Sequence, residues 1–506
     1  MNVYFDADIN NVIKDTIAGL VDRLNIKKIY LVYATASSNV RSKSEWIERY
    51  SKLKNCNIAE TYWYSDIATG NYSGYVYALD SLPVDEKLIK SMTTFEPTII
   101  KMMERNRAKG QKAMSYEERI RLYHVYLKYW NHMLDAAKIN AAFFIACPHV
   151  AVSMTVYALC KIKDIPCVIK EIGPFQGFSS FIQDINKQNL NVYFKYKQLA
   201  EKYKNTHIDD IHISHKEISK NYSRMTGVED DKSPFYMKKS YQSKISHTPN
   251  AYHKSIRKTF VQKLKLLISW NSRKQATDDN KILFDVYDAL SIPVDLTSKP
   301  YFYYALHYQP ELTTNPMGGV YAHQFLPIQM ISYYLPDGMM LYVKEHPMQE
   351  YYCREIQIYY DIAKLHNVRL MPREMDTFQL IKNCVGVASV TGTVGLEGML
   401  MGKPFLMFGS QINTYAPGTF NIRTNKDCKK AINQIIDYGP KHTPKDMKVY
   451  LRAIEEEIQL CGFWDHPETL KNTGLDEISY EENIKRLVDG YAKVLEAQTN
   501  TSRPMK

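Results

Sequence analysis

Short apolar runs ending in small or polar residues recur along the chain between stretches of helical spacing, and this alternation sets the expected architecture. In the first half, the runs at 27–38 (KKIYLVYATASS) and 57–65 (NIAETYWYS) read as buried parallel strands. A helical stretch at 116–137 leads into the run 139–146 (INAAFFIA), a helix at about 150–162 and the run 166–173 (PCVIKEIG), together a β-α-β unit. Its turns Cys147-Pro148-His149 and Glu171-Ile172-Gly173-Pro174 fall at strand C-termini, the end of an open α/β sheet where ligands bind. Beyond residue 300 the alternation sharpens. Strands are expected at 301–308, 340–344, 368–371, 384–388 and 404–408, separated by helices at about 323–334, 350–365, 376–383 and 394–401. Strands alternating with helices in this way predict a parallel, doubly wound sheet.

With 506 residues, 45% hydrophobic and 24% charged, the chain is too long for one core and has the composition of a globular protein, so two large α/β domains are expected. The boundaries suggested by the pattern are 1–231 for an N-terminal Rossmann-like domain, 232–295 for a basic connector, 296–460 for a C-terminal Rossmann-like domain and 461–506 for a helical extension. The eight cysteines are scattered without CxxC pairs or zinc spacing and are expected to be reduced and mostly buried. The N-terminal residues carry no basic segment followed by an apolar one, and no run is long and apolar enough to span a bilayer. A cytoplasmic location is therefore the expectation.

The net charge of +11 has a local origin. Residues 232–275 contain eleven Lys/Arg and no Asp or Glu, and the rest of the chain balances. Without a recognisable nucleic-acid module, nucleic acid is not an expected partner. Within that stretch, Ile256, Phe260, Leu264, Leu267 and Ile268 form an apolar stripe over 254–270, flanked by Lys254, Arg257, Lys258, Lys263 and Lys265. This is the pattern of a helix lying on an anionic membrane surface, such as the inner face of the plasma membrane, and equally that of a connector helix with solvated lysines.

Two later turns carry the candidate chemistry. Ser389-Val390-Thr391-Gly392-Thr393 follows an apolar run and opens a helix, so its hydroxyls and free N–H groups meet the positive end of a helix dipole, a natural phosphate site. Thr393 as a simple helix cap is the competing reading. Glu397, one turn further along, suits ribose hydroxyls or an ion pair with a residue such as Lys403. Lys344-Glu345-His346-Pro347 leaves a strand, and Pro347 stops it so that His346 is expected to face the crevice. The pairs Asp209-Asp210, Asp230-Asp231 and Asp278-Asp279 read as solvated loops, so no metal site is expected.

These two turns, with Tyr308-Gln309-Pro310-Glu311 and Thr313-Thr314-Asn315-Pro316 upstream and the segment VGVASVTGTVGLEGMLMGKPFLMFG, resemble the bacterial capsule polysaccharide biosynthesis family, which includes Kdo transferases. The His-Pro and Ser/Thr motifs are also similar to those of bacterial sialyltransferases and polysialyltransferases. The resemblance covers about 301–410 well and 148–173 loosely. It implies a GT-B-like fold of two Rossmann-like domains facing a cleft, with a CMP-sugar held by the C-terminal domain and the acceptor by the N-terminal one. Lys344, His346, Pro347, Ser389, Thr391, Gly392, Thr393, Glu397 and Gln309 would bind the donor. Transfer also needs a base, for which Glu311, Glu171 and His149 are the candidates, Glu171 having a solvated loop charge as its plain alternative and His149 a first-turn helix position. The implied partners are a nucleotide sugar, as substrate rather than cofactor, and a glycan or glycolipid acceptor. A transferase or epimerase using a UDP- or GDP-sugar and a non-catalytic glycan-binding subunit are the alternatives.

Overall fold

The computed structural model describes residues 1–7, 10–33, 57–78, 82–106, 114–173, 175, 177–187, 190–226, 281–309, 311–349, 354–464 and 467–501. The basic segment 254–270, the pairs Asp230-Asp231 and Asp278-Asp279, and the end of the run at 27–38 beyond residue 33 lie outside these residues. The chain divides into two compact units, one containing 1–104, 114–189 and 458–506, the other built on Leu190–Glu457.

In the first unit, strands β1 (Asn2–Ala7), β2 (Lys28–Tyr33), β3 (Asn57–Trp63), β4 (Ala141–Phe144), β5 (Cys167–Ile172), β6 (Phe178–Ile182) and β13 (Gln459–Leu460) form one sheet in the order β13-β6-β5-β4-β1-β2-β3. Strands β1 to β5 are parallel, whereas β6 and β13 add antiparallel edges. The central strand β1 was not anticipated from the pattern. Its side chains Val3, Tyr4 and Phe5 are buried on both faces, so it lacks the polar alternation of a half-exposed strand. Val3 and Phe5 pack toward helix α1 (Asn11–Leu24), while Tyr4 meets Trp130 of helix α2 (Tyr116–Ala136) edge to face at 5.7 Å. A capping box between Ser115 and Glu118 starts α2, satisfying two end groups that the helix itself cannot. Tyr62, Tyr72, Tyr123, Tyr126 and Tyr129 are buried around Trp130 and within the adjoining core, which places much of the tyrosine content in packing.

The second unit repeats the plan with a wholly parallel sheet of β7 (Tyr301–Ala305), β8 (Met340–Lys344), β9 (Val368–Leu370), β10 (Gly386–Ser389), β11 (Phe405–Met407) and β12 (Thr419–Asn421). Their order, β12-β11-β10-β7-β8-β9, is the 3-2-1-4-5-6 arrangement of a Rossmann sheet, with its switch point between β7 and β10. Helix α3 (Ala151–Ile162) completes the β-α-β unit of the first domain. In the second, α4 (Leu190–Lys202), α5 (Lys216–Met225), α6 (Phe325–Tyr334), α7 (Gln357–Ala363), α8 (Thr377–Asn383), α9 (Thr393–Leu400), α10 (Asn425–Tyr438) and α11 (Pro444–Glu457) surround the sheet. Helix α9 lies close on β10 and β11 because Gly395 faces the Phe405 ring, where a Cβ would fall 2.3 Å from Cε1.

The domain edges differ from those suggested by the pattern. Residues 190–226 belong with the second unit, and the helix at 281–290 inserts Leu283 and Tyr287 into its core. Helix α12 (Tyr480–Thr501) packs on the first unit, burying Leu487, Tyr491 and Leu495 and donating the Tyr491 hydroxyl to the Phe144 carbonyl. Six cysteines, Cys147, Cys160, Cys167, Cys384, Cys428 and Cys461, are free and buried. Among the described residues no helix is long and apolar enough to cross a membrane.

Candidate functional site

At the carboxyl edge of the second sheet, the chain leaves β10 through Ser389 to Gly392 and enters α9. Gly392 caps α9 without a side-chain hydrogen bond. Among the described residues, the N–H groups of Gly392, Thr393 and Val394 have no acceptor. The Thr393 side chain is exposed beside them. Ser389 and Thr391 are fully buried, and their hydroxyls donate to the carbonyls of Ala305 (2.8 Å) and Thr313 (2.8 Å). They shape the loop instead of presenting hydroxyls to a ligand, which corrects the expectation for both side chains.

The turn after the neighbouring strand β7 contributes a residue that the sequence pattern did not single out. His307 is buried, and its Nε2 accepts the Thr391 N–H at 3.0 Å. Burial, reinforced by the positive charges of His346 and Arg354, lowers its pKa to about 3. The ring is therefore neutral, with its proton on Nδ1. A Cβ on Gly392 would lie 3.1 Å from this Nε2, so glycine there permits the close approach of ring and loop.

On the other side of β7, strand β8 ends in the His-Pro turn. The Nδ1 of His346 accepts the Met348 N–H at 3.2 Å, which leaves the proton on Nε2 as a directed donor. Its pKa falls to about 4 because the ring is partly buried and loses hydration, with Arg354 and Lys344 adding to the effect. His346 and Tyr308 have ring centroids 5.7 Å apart. Lys344 departs from expectation. Its ammonium is buried and donates to the Met375 carbonyl and to Thr377 Oγ1, so it ties β8 to the start of α8. Pro347 is exposed at the turn.

A buried polar network joins the β7 and β8 ends. Arg354 pairs through Nε with Glu345 Oε2 at 3.0 Å and donates to Gln309 Oε1, the His307 carbonyl and Gln349 Oε1. Glu345 also accepts from the Tyr359 hydroxyl and the His346 N–H. Gln309 and Gln349 exchange two backbone-to-amide bonds at 2.9 Å. Gln309 is thus a strut between loops, with its amide used inside the protein. Arg354 gave no sequence signal, since its partners come from two loops, 307–309 and 345–349, that only the fold brings together.

The remaining candidates occupy different surroundings. Glu397 is buried and pairs with Arg224 of α5 at 3.4 Å, where burial raises its pKa and Arg224 opposes the rise. Lys403, the partner suggested by sequence, instead donates to the Cys384 carbonyl. Glu311 is exposed at the head of the turn after β7 and accepts from the Thr313 hydroxyl at 2.8 Å. In the first unit, Glu171 is no solvated loop charge. It is buried within β5 and accepts from Ser180 Oγ on the antiparallel neighbour. His149 follows β4, and its Nδ1 donates to the Cys147 carbonyl at 2.8 Å, which directs the ring's basic lone pair to Nε2. Asp209 and Asp210 are exposed in a short turn. Among the described residues no three His, Cys, Asp or Glu side chains gather as metal ligands.

No curated protein matches the chain. Solved structures that align with it include UDP-GlcNAc 2-epimerase from Methanocaldococcus jannaschii, at 10% identity over 90% of this chain and 100% of that one, with a TM-score of 0.24. Another is KpsC from Thermosulfurimonas dismutans, described as a beta Kdo 2,4 transferase, at 12% identity over 62% of this chain and 79% of that one, TM-score 0.25. The glycosyltransferase VinC in complex with DTDP aligns at 10% identity over 97% and 100%, TM-score 0.21. Similarities of this size add nothing to the architecture read from strand order. The segment 329–418, which holds strands β8 to β11 and both the His346 and Ser389–Thr393 turns, matches the capsule polysaccharide biosynthesis protein family, and it is to that family that this part of the chain is similar.

Proposed function

We propose that the protein is a glycosyltransferase that moves Kdo or a sialic-acid-like nonulosonate from a CMP-sugar to a surface polysaccharide or glycolipid acceptor. The observation carrying this reading is a set of neutral donors at the switch-point edge of the second sheet: the Gly392, Thr393 and Val394 amides at the start of α9 and the Nε2–H of His346. Such an edge is where Rossmann sheets hold phosphate. As the bond from sugar to phosphate breaks, its electron pair stays on the phosphate oxygen. Prepositioned N–H groups stabilise that developing charge without having to reorganise. The acceptor hydroxyl forms the new bond to the sugar and gives its proton to a base. His149, with its lone pair directed to Nε2, and the exposed carboxylate of Glu311 are the groups proposed for that role. The family match over 329–418 supports a place in capsule polysaccharide biosynthesis.

The test is nucleotide-dependent thermal stabilisation, since a ligand bound only by the native state raises the unfolding midpoint. CMP is expected to stabilise the protein more than UDP or GDP, and His346→Ala to reduce the CMP effect. A larger shift with UDP would favour a UDP-sugar enzyme. Transfer that survives both His346→Ala and Glu311→Gln would remove this site from the reaction. The basic segment 254–270 is proposed to attach the protein to an anionic membrane surface. Co-sedimentation with anionic liposomes is expected to drop in a Phe260→Asp/Leu264→Asp variant, and unchanged binding would refute the attachment.

A further inference from the structure

We propose that a pocket on the Leu190–Glu457 unit, beside edge strand β12, is a subsite for an anionic saccharide segment. The cavity encloses about 350 Å³, within the range of small-molecule sites. Tyr193 and Lys197 stand one turn apart on α4. Tyr415 faces them from the turn that follows β11, while Pro417 and Lys441 complete the rim.

The side chains set the class of ligand. Tyr193 and Tyr415 have ring centroids 6.1 Å apart, tilted by 50°, so they form an open angle and not a closed stack. Rings held this way offer apolar faces to the C–H face of a pyranose, with phenol groups at the rim for its hydroxyls. Lys197 places its ammonium 5.4 Å from the Tyr193 ring centre and 5.8 Å from that of Tyr196, which holds the charge at the pocket wall. Lys197 and Lys441 are exposed, and neither pairs with a carboxylate among the described residues. Asp446, the one acidic residue of the lining, is already engaged: Oδ2 accepts from the backbone N–H and hydroxyl of Thr443, and Oδ1 from the Tyr196 hydroxyl. Two ammonium groups set against this one carboxylate leave the pocket with a net positive charge, matching a sugar that carries a carboxylate.

The pocket is separate from the nucleotide edge. Strand β12 lies two strands from β10, on the order of 10 Å at ordinary strand spacing. Ala416, Pro417 and Thr419 lie where the chain enters β12, whereas the His346 and Gly392 turns lie where strands leave the sheet. A guest here does not compete for the phosphate donors. That the guest is a saccharide rests on the glycosyl-transfer reading, whereas the aromatic and cationic geometry does not.

The experiment titrates the full chain with hexagalacturonate as an acidic probe and maltohexaose as a neutral one, by calorimetry, with CMP stabilisation measured in parallel. Hexagalacturonate is expected to bind and maltohexaose to bind far more weakly. Tyr415→Ala and the charge-reversed pair Lys197→Glu/Lys441→Glu are each expected to weaken hexagalacturonate binding by about tenfold or more, leaving CMP stabilisation unchanged. The charge-reversed pair alters exposed positions, so it preserves the fold if Tyr415→Ala does not. Absence of hexagalacturonate binding, equal binding of the neutral probe, or Tyr415→Ala binding as well as the parent while retaining its unfolding midpoint each overturns the proposal. Hexagalacturonate binding without any CMP effect would refute the donor assignment alone.

Discussion

The two imidazoles at the switch-point edge act as neutral groups, and this has a consequence for stability. Both His307 and His346 have pKa values lowered by burial, to about 3 and about 4. In the unfolded chain a histidine takes up its proton near pH 6.5. Below that pH the unfolded state binds protons that the folded state refuses, so stability is complete above about pH 6.5 and falls as pH drops toward 4. Each histidine contributes up to about 1.4 kcal/mol per pH unit in that window. Urea unfolding of His307→Asn, whose amide oxygen can still accept the Thr391 N–H, is expected to show a shallower fall between pH 6.5 and 4 than the parent. An identical slope would mean that His307 is not held neutral. The sequence made His346 visible because a proline follows it. His307 carried no such mark, since its role depends on a backbone N–H eighty-four positions away.

At the scale of elements, the loops at the ends of β7, β8 and β10 are held by polar groups drawn from distant parts of the chain. Arg354 and Glu345 are almost completely buried and meet each other as well as the His307, Gln309 and Gln349 groups. Removing one partner of a buried ion pair leaves the other uncompensated, at a cost of about 3 to 5 kcal/mol. Glu345→Gln is expected to destabilise by roughly that amount in urea unfolding and to weaken CMP stabilisation, because the His346 turn loses its anchor. Glu345→Gln combined with Arg354→Gln is expected to cost less than the sum of the single changes. Additive costs would show that the two residues do not act as a unit. Most strands and helices of the second sheet were legible from the pattern, because apolar runs bounded by glycine, proline and polar residues are local signals. The use made of Ser389, Thr391 and Lys344 was not, because a hydroxyl or ammonium at a strand end serves ligand or backbone according to what packs beside it.

For the molecule as a whole, the C-terminal helix is part of the first core and not an appendage. Leu487 and Tyr491 are fully buried, and α12 lies along α1 and near β5 and β6. Deleting residues 480–501 is expected to expose this core, which limited proteolysis would register as rapid cleavage within 1–187 while 281–457 resists. Equal resistance of both regions would show that the first unit does not need the helix. The charge asymmetry of the chain, concentrated in 232–275, also belongs to this scale, and the membrane attachment proposed for it is expected to weaken as salt screens the attraction.

Periodicity along the chain determined the class of structure: parallel strands alternating with helices, in two halves, with candidate chemistry at strand ends. These features are local and survive in one dimension. Tertiary structure decided which strand lies at the centre, that β1 and the C-terminal helix build one core, and that His307 takes the Thr391 amide while Arg354 joins two loops. It also turned Ser389, Thr391, Lys344 and Gln309 inward and left His346 and the first amides of α9 as donors. Hydrogen-bond partners and burial are set by contacts between residues far apart in sequence, so residue types alone do not reveal which polar groups are consumed within the protein and which remain for a ligand.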